Sequence, residues 1–113
     1  MDRLETLKSI LAARPADTFA RYGLAMEYVT TGDYESAVTE FRALLAASPD
    51  QLSAYFQAGQ TLEKLGHPQE AIQLYTQGIE AATRQGNTHA RDQMQTALEL
   101  LSRHREVSSV LLY

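Results

Sequence analysis

Apolar residues recur along this chain at spacings of three and four, the mark of helices that each bury one face. Leu4, Leu7 and Leu11 set the rhythm, Val38, Phe41 and Leu45 repeat it, and Ile72, Tyr75 and Ile79 repeat it again, each set 34 residues after the last. Sliding the whole chain by 34 residues also places Pro15 on Pro49, Ala20 on Ala54, Tyr22 on Phe56, Ala25 on Gly59, Tyr28 on Leu62, Gly32 on Gly66 and Ala37 on Ala71. A fixed period carried by both apolar pattern and punctuation predicts stacked structural repeats, in which each unit buries its face against its neighbours.

The punctuation divides each period into two helices. Gly32 and Gly66 suit the left-handed position just past a helix end, and Asp33 suits the cap of the next helix. Pro68 fits a first helical residue, where a missing N–H costs nothing, while Pro15 and Pro49 stop the preceding helices. Asp2 with Glu5 resembles a capping box at the chain start. Helices are therefore expected over 2–14, 17–31, 34–47, 51–65, 68–83 and 87–104. Gly23, Gly59 and Gly78 fall inside helices, where glycine costs stability, and predict close approach of neighbouring helices. Between Arg84 and Asn87 the period is interrupted, with Thr83 in place of a proline, so the last helix reads as a cap rather than a full third repeat.

Quoted in order, Leu24-Ala25, Tyr28, Gly32, Tyr34, Ala37, Phe41 and Pro49, then Tyr55, Ala58-Gly59, Leu62, Gly66, Ala71, Tyr75 and Gly78, resemble the tetratricopeptide repeat pattern. Arg21 stands where the first copy should hold a bulky residue, Leu44 where a small one is usual, and the second copy lacks its last proline. The resemblance implies an all-α helical repeat (an α-solenoid) of about six helices with two full repeats, 18–51 and 52–85. An N-terminal half-repeat helix and a capping helix over 87–104 flank them in a single domain, 1–105, followed by an apolar tail, 106–113. Leu24, Tyr28, Ala37, Phe41 and Leu45 are expected to pack against Leu62, Ala71, Tyr75 and Ile79.

Such a stack curves, and the resemblance places the first helix of each pair on the inner, concave wall, where extended or helical peptides dock. The expected peptide-binding groove is Phe19, Tyr22, Met26, Ser53, Phe56, Gln57 and Gln60, with Phe19, Tyr22, Met26 and Phe56 supplying apolar contact. The competing expectation is that these aromatics are covered as core. Chaperone-adaptor members clamp a C-terminal carboxylate with Lys and Asn where this chain has Tyr22 and Met26, which argues against that clamp. The apolar tail, ending Val110-Leu111-Leu112-Tyr113, is expected to pack against its own chain.

Composition narrows the function. The formal net charge is −4, and the ten Lys and Arg form no block, so a phosphate backbone finds no footprint. There is no cysteine, no apolar leader and no apolar run near membrane-spanning length, which makes a cytoplasmic protein without membrane contact the expectation. His67, His89 and His104 form no ligand pair, and no phosphate-binding glycine loop or nucleophile motif occurs. His67 is expected to cap or face solvent at a turn, His89 to open the last helix, and His104 to lie near its C-terminal end. No enzyme activity, cofactor or metal is therefore expected. The reading is a protein–protein interaction scaffold that binds another protein as a monomer. The alternative is a self-associating unit such as a homodimer, or a subunit of a larger assembly.

Overall fold

The computed structural model describes residues 2–111, and the surroundings of side chains for 2–104. Six helices follow one another: α1 (Arg3–Ala13), α2 (Thr18–Thr31), α3 (Tyr34–Ala47), α4 (Leu52–Lys64), α5 (Pro68–Gln85) and α6 (Thr88–Leu111). No strand occurs among the described residues. Each helix packs chiefly on the one before and the one after it, so the chain is a stack rather than a ball. The radius of gyration, 15.3 Å, exceeds the roughly 13 Å of a compact domain this long, as an extended stack requires.

Local chemistry sets these boundaries. The carboxylates of Asp2 and Asp17 accept from the N–H groups of Glu5 (2.8 Å) and Ala20 (2.9 Å), opening α1 and α2. Asp33 accepts from both the N–H and the hydroxyl of Ser36, at 3.2 and 2.7 Å, and opens α3. At the ends of α2 and α4, Gly32 (φ 83°) and Gly66 (φ 78°) take the left-handed turn that a Cβ would oppose. The next N–H then reaches back, from Asp33 to the Tyr28 carbonyl and from His67 to the Leu62 carbonyl, both at 2.9 Å. Asp33 thus closes one helix with its backbone and opens the next with its side chain.

Two boundaries differ from expectation. α5 runs on to Gln85 before Gly86 ends it, making it 18 residues long against 14 for α3. α6 continues past the expected end at 104 to Leu111, since neither glycine nor proline stands between Thr88 and the C-terminus to stop it. His104 therefore lies within the helix rather than near its end. The expected packing of the 106–113 side chains lies outside the described residues.

Most of the predicted core residues meet. Ala37, Phe41, Leu62, Ala71 and Tyr75 are buried together, with Tyr28, Leu45 and Ile79 half-buried against them, whereas Leu24 is buried in a separate cluster with Leu11 and Ala20. The mid-helix glycines are contact points. A Cβ on Gly59 would lie 2.6 Å from Cζ of Tyr75, and one on Gly78 would lie 2.7 Å from Cβ of Tyr55. Neither helix pair could close at this distance with alanine in those places.

The two repeats also solve the same problems at matching positions. Tyr22 meets Phe41 edge-on at 5.9 Å between ring centres, and Phe56 meets Tyr75 at 6.3 Å, 34 residues further on. Tyr55 donates its hydroxyl to the Pro49 carbonyl at 2.7 Å. Its counterpart Arg21 donates a guanidinium N–H to the Pro15 carbonyl at 3.1 Å. Arg21 also pairs with Glu40 at 2.9 Å, with both side chains largely covered. The residue that broke the sequence pattern thus performs the pattern's task by another chemistry.

Candidate functional site

The first helices of successive pairs, α4 and α6, wall an open cavity of about 640 Å³. Phe56, Gln60 and Glu63 face it from α4, and His89, Asp92, Gln93, Thr96, Ala97 and Leu100 from α6. Leu100 is 59% exposed and Phe56 half-buried, so apolar surface remains open to a ligand on both walls.

The seven residues expected to form the groove do not all meet. Phe56 and Gln60 line this cavity. Gln57 is half-buried and Ser53 exposed on the same helix, neither among the lining residues. Tyr22 and Met26 are half-buried and pack against the core, so they belong partly to it. Phe19, 88% exposed, instead borders a separate recess of about 500 Å³ with Leu7 and Ile10 of α1 and Arg14 just past its end. Of the aromatics, Phe19 is exposed while Tyr22 and Phe56 are half-buried.

The α6 wall was missed because α5 is longer than its counterpart. Ala90, Met94, Ala97 and Leu98 stand 36 residues, not 34, after Ala54, Ala58, Thr61 and Leu62, and take their places against the core. With that offset, His89, Asp92, Gln93 and Thr96 correspond to Ser53, Phe56, Gln57 and Gln60. Allowing two extra residues in the period would have found them. α6 therefore packs on α5 as a repeat's first helix packs, and Asn87 caps it by accepting from the Ala90 N–H at 3.0 Å.

Beneath the α4 wall lies a polar chain. Gln60 donates from Nε2 to the Tyr75 hydroxyl at 2.7 Å, and that hydroxyl donates to Oε2 of Glu63 at 2.5 Å. Burial pushes the Tyr75 phenol well above its usual range, and the hydrogen bond to Glu63 and that carboxylate's charge push it further. Tyr75 therefore stays a neutral donor that fixes the Glu63 carboxylate at the rim. Burial also raises the Tyr55 phenol, opposed by Arg84 and aided by Asp50 and Glu80.

The histidines lie apart. His67 pairs through Nδ1 with Glu70 at 3.1 Å, His89 lines the cavity, and His104 is exposed. Among the described residues, no group of three or more His, Asp and Glu could hold a metal. No described helix is long and apolar enough to cross a membrane.

The tetratricopeptide repeat profile matches residues 22–87, more than half of the chain. The chain belongs to the tetratricopeptide repeat family. It is 26% identical over 102 residues to a TPR repeat-containing protein of Pseudomonas aeruginosa, covering 90% of this chain and 97% of that one. It is 30% identical over 78 residues to Protein DIA2 of Eremothecium gossypii, but there the match spans 69% of this chain and only 11% of that protein. The solution structure of a tetratricopeptide repeat domain protein from Salinibacter ruber superposes with a TM-score of 0.73 at 32% identity, covering 77% of this chain and 88% of that one. The all-α repeat architecture read from the 34-residue period is thus shared with a solved member of the family.

Proposed function

We propose that this chain is a non-catalytic interaction module that holds a short segment of a partner protein between α4 and α6. The observation that carries this reading is the open cavity whose two walls both present apolar side chains, a half-buried Phe56 on one and an exposed Leu100 on the other. Gln60, Gln93 and Thr96 stand beside them with amide and hydroxyl groups for a partner backbone. Tyr22 and Met26, half-open on α2, extend the surface towards the N-terminal end, where a longer segment would run.

The test is selection of peptides from a random displayed library against the immobilised chain. Binding is then compared between wild type and Leu100→Glu, a change at an exposed position that leaves the core intact. Peptides that bind wild type and lose at least tenfold in affinity for the variant support the reading. Peptides indifferent to Leu100→Glu place the binding surface elsewhere.

Self-association is the second reading, favoured by Phe19 at 88% exposure beside Leu7 and Ile10. Sedimentation at rising concentration, with Phe19→Ser as control, separates it from the first.

A further inference from the structure

The charge around the α4–α6 cavity specifies what kind of segment it takes. Glu63 reaches it from α4 and Asp92 from α6, while no Lys or Arg is among the residues that line it. The only ion pair drawn to either acid among the described residues is Arg91 with Asp92, at 3.3 Å between consecutive exposed side chains. Such a contact neutralises little in water. Glu63 meets no cation among the described residues, and one of its oxygens, Oε2, is occupied by the Tyr75 hydroxyl.

That occupation makes Glu63 unlike an ordinary surface acid. A free glutamate must surrender rotamer freedom to hold a partner. This one is already held by a buried tyrosine, itself held by Gln60, in a cavity that the Phe56 ring also lines. A fixed carboxylate beside apolar surface fits a long side chain with an aliphatic stem and a cationic head. Across the cavity Asp92 adds negative charge, and Ala97 and Leu100 add apolar area for the neighbouring side chain.

Resting on the interaction reading above, we infer that the partner is a peptide segment carrying a lysine or arginine next to an apolar residue. The cation pairs with Glu63 under the influence of Asp92, its stem lies along Phe56, and the apolar neighbour covers Leu100.

The experiment uses the library selection on three baits: wild type, Leu100→Glu, and the double variant Glu63→Gln/Asp92→Asn. Glutamine at 63 keeps an oxygen to accept from Tyr75, so the fold is preserved, and circular dichroism verifies it. Enrichment of Lys or Arg beside an apolar residue on wild type is the expected result. That enrichment should vanish on the double variant. Representative peptides should lose roughly fivefold in affinity for each charge removed and weaken as salt rises. Binders that depend on Leu100 but are neutral or acidic, or that bind the double variant equally well, overturn this inference while leaving the groove standing. Binders indifferent to Leu100→Glu, or no binders at all, overturn both. Exchanging Arg for Lys in a selected peptide shows which cation is preferred.

Discussion

Alanine in place of Gly78 and Gly23 tests whether the stack is held together by close backbone approach. Both glycines lie inside helices, so both substitutions gain about 1 kcal/mol of helix propensity. What differs is the neighbour. At Gly78 the new Cβ would sit 2.7 Å from Cβ of Tyr55, which is fixed to the α4 backbone, with the Met94 sulfur also in the way. Relief needs α4 or α6 to move away from α5, an overpacking cost of about 2–3 kcal/mol. At Gly23 the nearest atom is Cδ2 of Leu7 at 3.2 Å, the free end of a half-buried side chain that can rotate. Gly23→Ala should therefore stabilise by about 0.5 kcal/mol and Gly78→Ala destabilise by about 1–2 kcal/mol. At about 4 °C per kcal/mol for a chain of this size, the two melting temperatures should move about 2 °C up and 4–8 °C down. Urea and thermal unfolding followed by circular dichroism at 222 nm give both values. Equal stabilisation by the two alanines would refute the reasoning, because the contact at Gly78 would then be yielding rather than rigid.

Alkaline pH offers a second check. Tyrosine in the unfolded chain ionises near 10.0 and Tyr75 in the fold ionises higher, so its contribution is whole below that pH and is lost as pH rises past it. Stability should fall above about pH 10, and Tyr75→Phe, measured by urea titration at several pH values, should flatten that fall. At the other joint, Arg21→Ala should cost about 2 kcal/mol by stranding Glu40 and the Pro15 carbonyl, whereas Arg21→Tyr, copying Tyr55, should recover most of it. A tyrosine variant no better than alanine would break the equivalence of the two positions.

The architecture was legible because repetition states the same information more than once. Gly32 and Gly66, Phe41 and Tyr75, Ala37 and Ala71 each mark one structural place, so a weak local signal gains support from its copy. The cavity lining was legible only where that register held. Phe56 and Gln60 face the cavity, but their partners Asp92 and Thr96 sit beyond a helix extended by Arg84 and Gln85, and a strict 34-residue ruler passes over them. Phe19 shows a different limit. Its sequence position matches Ser53, yet it borders a recess with Leu7 and Ile10 of α1 rather than the cavity between α4 and α6. The Gln60–Tyr75–Glu63 chain had no sequence signature, since its members come from two helices and meet only after folding.

The exchange of Arg21 for Tyr55 at matching joints has one further consequence. The Arg21–Glu40 contact between α2 and α3 is one of charges, which dissolved salt screens, while the neutral Tyr55 hydroxyl on the Pro49 carbonyl offers salt nothing to screen. Dissolved salt therefore acts on the Arg21–Glu40 joint and not on the matching Tyr55–Pro49 joint. Two joints that match in position thus differ in what the solvent can do to them.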